Sequence, residues 1–233
     1  MFVWITSGYR FAHRKPGAAR GFTAPGFEKG SGKGWFWYIP LQNDVTSIGV
    51  VADNDFLLKG RGSPASVFED ELVKCPNLLE RLDRAELVDG FHVAKEFSYN
   101  TRQHAGDGWV LVGDAFGFID PIYSSGVYFA LKSGEMAADA IIEGLAGDDT
   151  SAAQLGKWTD EFKSGTKWIR KLVSAFYTNE FSFGHFMRDF PDHRGNLTDL
   201  LIGRIFYDGA GKLFEDMDPQ LAAVRKDECA AKK

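Results

Sequence analysis

Residues 108–141 read GWVLVGDAFGFIDPIYSSGVYFALKSGEMAADAI and join a short apolar run, an irregular segment and a long helical pattern. The apolar run, residues 109–112, has no polar alternation, which is typical of a strand buried on both faces. Asp114 follows this strand directly. Because ligands of open α/β sheets bind beyond the carboxyl ends of the strands, the Asp114 carboxylate is well placed to accept hydrogen bonds from the hydroxyls of a ribose or sugar-alcohol chain.

Ser124, Ser125 and Gly126 open the long helical pattern. Its apolar positions follow helical spacing and are Val127, Ala130, Leu131, Gly134, Ala138, Ile141 and Leu145. The first N–H groups of a helix have no partner within it and lie at its positive end, so they suit an anion or a carbonyl oxygen. Gly126 would let such a ligand touch the backbone. The plainer alternative is that Ser124 caps the helix and Asp114 is a turn residue.

The composition is that of a globular chain without a nucleic-acid partner. Of the 233 residues, 44% are hydrophobic, which allows a substantial core in one large or two small domains. The 27 basic and 32 acidic side chains give a net charge of −5, with no basic stripe to neutralise phosphates. Aromatic residues make up 14% of the chain, which favours either a thick core or a flat apolar ligand.

The cysteines and the N-terminus predict a cytoplasmic protein. Cys75 and Cys229 lie far apart and form no CxxC spacing, so we expect reduced thiols and no disulfide framework. The N-terminal order of apolar then basic residues is the reverse of a signal peptide, and no apolar run approaches ~18 residues. We therefore expect no membrane segment. The five histidines lack metal-ligand spacing, and we predict no metal site.

Residues 1–100 follow a strand-rich pattern. Gly and Pro breaks divide the first thirty residues into short strands, and residues 35–40 and 45–51 predict a hairpin around a turn at residues 42–44. Ser63 and Pro64 predict the start of an amphipathic helix reaching Lys74, followed by a short helix and further strands near residues 87–88 and 91–99.

The chain after residue 147 has a helical pattern. Apolar residues recur at three- and four-residue spacing over residues 152 to about 183, which predicts helical structure there. Asn196 is predicted to cap a further helix that carries Leu197 to Phe206 on its apolar face. The Lys- and Ala-rich tail from Leu221 is expected to fray.

Two segments resemble motifs of one enzyme superfamily. Residues 113–127, GDAFGFIDPIYSSGV, resemble the second flavin motif of FAD-dependent oxidoreductases of the hydroxylase, geranylgeranyl reductase and halogenase superfamily. Residues 34–40, GWFWYIP, resemble the WxWxIP element most associated with flavin-dependent halogenases. The two motifs occur in the family order. The resemblance covers roughly residues 1–147 and, more loosely, the helical remainder.

The resemblance implies an α+β fold in three regions. Residues 1–100 would form an antiparallel substrate-side sheet, residues 101–147 a buried strand, loop and long helix of an FAD-binding domain, and residues 148–233 a C-terminal helical region. The GxGxxG fingerprint of an N-terminal Rossmann unit is absent, since residues 30–34 have the wrong spacing and residues 60–65 begin a capped surface helix. We therefore expect the C-terminal portion of a longer flavoprotein, with a separate N-terminal FAD-binding half as a candidate partner.

The resemblance also implies that FAD is the cofactor and assigns residues to it. Gly113 and Asp114 match the turn whose aspartate binds the ribityl hydroxyls. Pro121 matches the proline beside the isoalloxazine ring. Gly126 and Val127 match the helix-opening amides that face the pyrimidine end of the flavin and stabilise its anionic reduced form.

A halide and substrate pocket follows from the same resemblance. Ser125 and Gly126 match residues that line the halide site of halogenases. Trp35, Trp37 and Ile39 lie on one face of a predicted strand by period-two alternation, and in the family they are thought to shield the flavin from the substrate. An aromatic core strand is the structural alternative. The catalytic lysine of halogenases has no match here, so we assign no catalytic residue and expect that lysine in the missing part.

The predicted function is that of a flavin-dependent oxidoreductase of halogenase or monooxygenase type. It would use reduced FAD and dioxygen to oxidise halide or oxygenate a small aromatic substrate, with a flavin reductase as a candidate partner. Tyr123 stands where tryptophan-type halogenases carry a glutamate, which favours a phenol or pyrrole substrate. Two alternatives stay open: an FAD-dependent reductase or dehydrogenase of the same superfamily, and a non-catalytic partner-binding module.

Overall fold

The structure is a computed structural model that describes residues 2–11, 22–25, 34–95, 98–178 and 181–231. The chain divides into two compact units, Met1–Glu96 and Phe97–Lys233, and each is described by itself.

The first unit is built on an antiparallel sheet. Its strands are β1 (Phe2–Phe11), β2 (Phe22–Pro25), β3 (Trp35–Pro40), β4 (Val45–Asp53), β5 (Ala85–Leu87) and β6 (His92–Lys95). They are ordered β2-β3-β4-β1-β5, and β6 also pairs with β1. The predicted hairpin is confirmed: β3 pairs with β4 from Trp35 opposite Val51 to Pro40 opposite Thr46. Its turn places Asn43 and Asp44 in the left-handed region.

Three helices cover one face of this sheet: α1 (Asn54–Leu57), α2 (Pro64–Leu72) and α3 (Pro76–Arg81). The predicted start of α2 is confirmed, because the Ser63 hydroxyl accepts a hydrogen bond from the Ser66 amide at 3.2 Å and Pro64 occupies the first turn. The core between helices and sheet includes Val3, Ile5, Phe36, Tyr38, Ile48, Val50, Leu57, Val67, Phe68 and Leu78.

The second unit begins with two short ribbons and continues as helices. β7 (Tyr99–Asn100) pairs with β10 (Gly117–Phe118), and β8 (Ala105–Gly106) pairs with β9 (Trp109–Val110). Two 3₁₀ turns follow β9, at Gly113–Ala115 and Pro121–Tyr123. The helices are α4 (Gly126–Ala146), α5 (Ala152–Leu155), α6 (Thr159–Phe176), α7 (Phe183–Asp189), α8 (Arg194–Leu201) and α9 (Leu213–Ala231).

One side of α4 forms the core of the second unit with the later helices. The buried stripe of α4 is Phe129, Ser133, Ala137, Ala140 and Gly144. The Phe116 ring lies 5.0 Å from the Phe162 ring, which places the loop before α4 against α6. Because every strand pair in the described residues is antiparallel and helices follow the sheet, the predicted α+β class is confirmed.

Several predicted elements differ from the structure. The run 109–112 is not buried on both faces: its strand ends at Val110, and the Trp109 and Val112 side chains are exposed by 41% and 39%. The helical stretch predicted over residues 152 to about 183 is divided into α5, α6 and the start of α7. Gly156 ends α5, and a Cβ there would lie 2.9 Å from the Ala105 Cβ, so close packing requires glycine.

The C-terminal predictions also need correction. Asn196 lies inside α8 and does not cap it, since a 3₁₀ turn at Pro191–His193 already leads into the helix. Ile205 and Phe206 lie beyond the end of α8. The backbone after Leu221 continues as helix α9 to Ala231. The buried Leu213, Met217 and Leu221 extend the packing of α9 at helical spacing, which stabilises this helix.

Candidate functional site

The loop between β9 and α4 is held against α4 at Gly113. The Gly113 amide donates to the Ser133 hydroxyl at 2.8 Å. Gly113 has a φ of 54°, and a Cβ at this position would lie 3.3 Å from the Ala130 Cβ. Both the left-handed backbone and the close approach to α4 therefore favour glycine here.

Asp114 has a fixed backbone and an exposed side chain. The Tyr99 hydroxyl donates to the Asp114 carbonyl, and the Thr101 hydroxyl donates to the Phe116 carbonyl at 2.6 Å. Among the described residues, no hydrogen bond or ion pair occupies the Asp114 carboxylate. The carboxylate is thus available to accept hydrogen bonds from a ligand, while the Tyr99 hydroxyl on β7 holds the Asp114 backbone.

The second half of the loop is fixed by a buried carboxylate and two tyrosines. Asp120 is buried and accepts hydrogen bonds from the Ile122 amide at 3.1 Å and from the Tyr177 hydroxyl. The Tyr123 hydroxyl donates to the Leu172 carbonyl at 3.4 Å. Burial, and to a lesser degree the charge of Asp120, raises the pKa of Tyr123, so this phenol stays neutral. Pro121 begins the 3₁₀ turn between these contacts.

The N-terminal end of α4 is open. Ser124 adopts the left-handed conformation, and the Ser125 side chain makes no capping hydrogen bond. The interpretation of Ser124 as a helix cap is therefore wrong, since the residue before the helix is Ser125. A Cβ at Gly126 would meet no atom within 4 Å. The space beside the Gly126 Cα is therefore open to a ligand in the described structure, and the first amides of α4 have no partner within the helix.

A cavity of about 410 Å³ adjoins the loop on the side of α6. Its basic lining residues are Arg102, His104, Lys163, Lys167 and Arg170. The Arg170 guanidinium donates to the carbonyls of Tyr99 at 3.2 Å and Phe118 at 3.4 Å, and burial lowers its pKa. Partial burial, and then the nearby charge of Lys163, lowers the pKa of His104. The lining therefore suits a neutral or anionic group.

The other predicted pocket residues lie on β3 in the first unit. Phe36 and Tyr38 point into the core, so Trp35, Trp37 and Ile39 occupy the opposite face, as the alternation predicts. Ile39 is 48% exposed, whereas Trp35 is buried.

Trp37 is fixed on this face by three contacts. Its indole N–H donates to the Ser47 hydroxyl at 3.1 Å, and its ring lies 6.0 Å from the Trp35 ring. The Trp37 indole also occupies the place of a side chain at Gly49, where a Cβ would lie 2.1 Å from the ring. The hairpin thus presents an ordered aromatic face.

The sequence analysis missed the residues that position the loop. The residues that hold the loop backbone or the buried Asp120 are Tyr99, Ser133, Arg170 and Tyr177. Ser133 lies within residues 108–141 as an ordinary helix residue, and the other three lie outside that stretch. No spacing rule points to them, because their contacts depend on how α4 and α6 pack.

The described parts of the chain lack two other kinds of feature. They hold no group of three or more His, Cys, Asp or Glu side chains arranged to bind a metal ion. They also contain no helix of sufficient length and apolar character to cross a bilayer.

The sequence is similar to known halogenases. The family model for tryptophan halogenase matches residues 16–190. A 1H-pyrrole-2-carbonyl-(peptidyl-carrier protein) chlorinase from Pseudomonas fluorescens is 31% identical over 196 residues, which cover 83% of this chain and 43% of that protein. The corresponding brominase from Pseudoalteromonas luteoviolacea is 34% identical over 173 residues, covering 74% of this chain and 42% of the brominase. The chain thus spans less than half the length of these relatives.

Solved structures share the fold. The flavin-dependent brominase Bmp2 has a TM-score of 0.79 at 29% identity, and the match covers 95% of this chain and 56% of the brominase. A flavoprotein/dehydrogenase from Cytophaga hutchinsonii has a TM-score of 0.74 at 19% identity, a likeness of fold alone. The flavin-dependent relatives indicate FAD as the cofactor. Since the family model covers most of the sequence and the fold agrees, the chain belongs to the tryptophan halogenase family.

Proposed function

We propose that this chain forms the flavin-facing and substrate-side portion of a flavin-dependent halogenase. The enzyme would use reduced FAD and dioxygen to oxidise a halide ion and halogenate a small aromatic compound. The observation that carries this proposal is the loop between β9 and α4: its backbone is fixed by several hydrogen bonds, while the Asp114 side chain is exposed and open space adjoins Gly126 in the first turn of α4.

The loop residues fit the chemistry of a flavin. The Asp114 carboxylate would accept hydrogen bonds from the ribityl hydroxyls, and the Gly113 turn aims that carboxylate. Pro121 would lie beside the ring system. The amides of Gly126 and Val127 would donate to the pyrimidine end, where the positive end of the α4 dipole favours the extra negative charge of the reduced flavin. Bound FAD would supply the two electrons that activate dioxygen.

The halide and substrate roles are assigned to two further sets of residues. Ser125 and Gly126 would hold the halide, because their amides lie at the positive end of α4 and no side chain fills the space at Gly126. Trp35, Trp37 and Ile39 would form the wall that separates substrate from flavin. Packing around Trp37 makes this wall rigid, as a barrier requires.

The substrate class proposed is a pyrrole or a phenol. The pyrrole-carbonyl chlorinase and brominase match 83% and 74% of this chain, whereas flavin-dependent halogenases from Penicillium aethiopicum, Armillaria mellea and Aspergillus terreus match 60–63%. We therefore favour a pyrrole-type ring, presented as an acyl group on a carrier protein, over a free phenol. A separate flavin reductase would supply the reduced cofactor, and a separate N-terminal FAD-binding half would complete the cofactor site.

The test is a halogenation assay with carrier-bound pyrrole-2-carboxylate as substrate. The chain is incubated with FAD, a flavin reductase, NADH and chloride or bromide, both alone and with an FAD-binding half added. A product whose mass reflects replacement of hydrogen by halogen supports the proposal. Turnover that proceeds equally without halide would instead indicate a reductase or dehydrogenase. Failure to quench flavin fluorescence under every condition would indicate a non-catalytic module.

A further inference from the structure

The cavity between the loop and α6 is distinct from the set of residues that we assign to flavin. Of that set only Gly113 lines the cavity, whereas Asp114, Pro121, Gly126 and Val127 do not. The cavity volume of about 410 Å³ lies within the range of small-molecule sites. Neither the flavin nor the halide that we propose for this protein occupies it, so its lining residues call for an explanation of their own.

Arg170 brings a partly buried positive charge to the cavity wall. Its guanidinium donates to the carbonyls of Tyr99 and Phe118, but it forms no ion pair with any carboxylate in the described part of the chain. Moving a charge out of water is costly unless hydrogen bonds or an opposite charge compensate it. The two neutral carbonyls compensate this charge only in part. The remaining N–H groups of Arg170 are therefore suited to an anion that enters the cavity.

Gly117 leaves room for the guanidinium beside the loop. A Cβ at Gly117 would lie 3.1 Å from the Tyr99 carbonyl oxygen and 3.3 Å from Nη2 of Arg170. A side chain at this position would therefore push Arg170 away from the carbonyl that it contacts. The loop and α6 are thus matched in sequence so that the positive charge is held at the cavity wall.

Arg102 and Lys167 add two exposed cations to the lining of the cavity. Neither forms an ion pair with another described residue, and the Lys167 ammonium instead lies 4.3 Å from the centre of the Trp168 ring. Lys163 differs, because it pairs with Asp160 at 3.3 Å. No Asp or Glu among the described residues lines the cavity. A concave site lined by charges of one sign attracts ligands of the opposite sign, so the cavity favours an anion.

Phe116, Phe129 and Phe162 form an aromatic wall of the same cavity. The Phe116 and Phe162 rings lie 5.0 Å apart at an interplanar angle of 77°, and the Phe129 and Phe162 rings lie 6.0 Å apart at 82°. These edge-to-face contacts hold the wall in place, and an aromatic wall favours contact with a further flat ring. An inorganic anion would leave the wall in contact with water, and a neutral aromatic compound would leave the Arg170 charge unpaired. The lining therefore suits a flat ring that carries an anionic group.

We propose that this cavity is a binding site for a free aromatic carboxylate. The ring of the ligand lies against the three phenylalanines. Its carboxylate accepts hydrogen bonds from Arg170, and Arg102 and Lys167 add electrostatic attraction. Because Gly117 and Ile119 also line the cavity, the occupant contacts the loop between β9 and α4. Binding requires neither flavin nor halide, so this site does not depend on the proposed function.

The test is isothermal titration calorimetry of the 233-residue chain with pyrrole-2-carboxylate, in the absence of flavin. Pyrrole-2-carboxamide is the neutral ring of the same shape, and acetate and inorganic phosphate are anions without a ring. We expect a Kd below about 1 mM for pyrrole-2-carboxylate. Each of the other three compounds should bind at least about tenfold more weakly, because each lacks either the charge or the ring. Equal binding of the carboxamide, or tighter binding of phosphate or acetate, would overturn the proposal.

Variants locate the site. Arg170→Gln keeps an N–H donor near the loop carbonyls but removes the charge, and it should weaken pyrrole-2-carboxylate binding at least about tenfold. Arg102→Gln should weaken it about two- to fivefold. Since Arg102 is exposed, this second variant tests the site even if Arg170→Gln disturbs the fold. Lys171→Gln is the matched control on α6, because Lys171 pairs with Asp218 and does not line the cavity. Unchanged affinity in both arginine variants, or an equal loss in Lys171→Gln, would contradict the assignment.

A competition experiment separates this site from the cofactor site. The titration with pyrrole-2-carboxylate is repeated in the presence of FAD, and we expect the Kd to stay the same. Displacement of the carboxylate by FAD would show that the cavity belongs to the flavin site, and the proposal would then be wrong. A chain that binds pyrrole-2-carboxylate but does not halogenate refutes the proposed function and leaves the carboxylate site in place.

Discussion

Tyr177 donates its hydroxyl to the carboxylate of Asp120, at 3.2 Å from each of the two oxygens, and so joins the end of α6 to the loop that precedes α4. Asp120 is buried, so this hydrogen bond replaces water at a charged group. The contact positions Pro121 and the N-terminal end of α4 relative to the core. The loop that we assign to flavin is therefore held in place by Asp120 and Tyr177, to which we assign no ligand contact.

Removing this contact should destabilise the second unit. Tyr177→Phe deletes the donor to a buried carboxylate, and we expect a loss of about 1.5–3 kcal/mol in the free energy of unfolding. Denaturant unfolding followed by fluorescence measures the change. Tyr207→Phe is the control, because the Tyr207 hydroxyl donates to Asp199 on the surface and should cost less than about 1 kcal/mol. Equal losses in the two variants would contradict a special role for the Asp120 contact.

Asp114 is expected to contribute to flavin binding without contributing to folding. Asp114→Ala removes the acceptor for the ribityl hydroxyls and should raise the Kd for FAD by about 10- to 100-fold, the equivalent of losing a hydrogen bond to a charged group. The thermal midpoint should stay the same, since the carboxylate has no partner in the described part of the chain. Flavin fluorescence quenching gives the Kd. Unchanged affinity would exclude Asp114 from the cofactor site.

Gly126→Ala should change ligand binding without reducing the stability of the fold. Because a Cβ at this position meets open space, Gly126→Ala should leave the free energy of unfolding unchanged or raise it slightly. Flavin and halide binding should become weaker, because the methyl group enters the ligand space. Gly144→Ala is the contrasting variant, since its Cβ would lie 2.4 Å from the Asp149 carbonyl oxygen and should destabilise α4. Undiminished binding by Gly126→Ala would count against a ligand at this helix end.

The aromatic face of β3 depends on Gly49. Gly49→Ala would place its Cβ at 2.1 Å from the Trp37 indole, so the ring must move, at a cost of about 1–3 kcal/mol from overpacking. Trp37→Leu combined with Gly49→Ala should recover part of this loss, as a double-mutant cycle would show. Gly90→Ala is the control, because its Cβ meets no atom within 4 Å. Additive effects at positions 37 and 49 would contradict the packing described.

Stability should fall above neutral pH because of His193. Its Nε2 lies 2.7 Å from an Asp216 oxygen and its Nδ1 lies 3.1 Å from the Asn196 side-chain oxygen, while the positive charge of Lys212 opposes protonation. The hydrogen bond to Asp216 is the largest influence and raises the pKa of His193 above its usual 6.5. A raised pKa in the folded state stabilises the protein fully below about pH 6.5, and this contribution is lost as the pH rises through the folded-state value.

Asp216→Asn removes the negative charge that stabilises protonated His193, and it therefore measures the pH-dependent contribution of this pair to stability. The variant should be less stable than the natural chain at about pH 5.5, and the difference should shrink as the pH rises towards about 8.5 and His193 loses its proton. Thermal unfolding across this pH range measures it. A difference that is constant with pH would show that the pair acts through packing alone.

Much of the first unit, and the position of the loop between β9 and α4, could be predicted from local sequence. The hairpin of β3 and β4 follows from alternation around a turn cluster, and α2 follows from the cap at Ser63, because both signals act over a few residues. The family motif at residues 113–127 marks the loop between β9 and α4, where we propose that flavin binds. Local rules failed at Gly156, where the apolar spacing continues although α5 ends, and where the approach of Ala105 leaves no room for a side chain.

Local sequence was enough to predict the family, the hairpin of β3 and β4, the start of α2, and α4 with the loop before it. Only the tertiary structure decided that Tyr177 and Arg170 fix the loop, that Ser124 does not cap α4, and that one side of α4 remains uncovered. The two kinds of result differ because the interactions behind them act over different separations along the chain. Turn, cap and alternation preferences act between neighbours along the chain, whereas burial and hydrogen bonding across many residues depend on which surfaces the folded elements bring together.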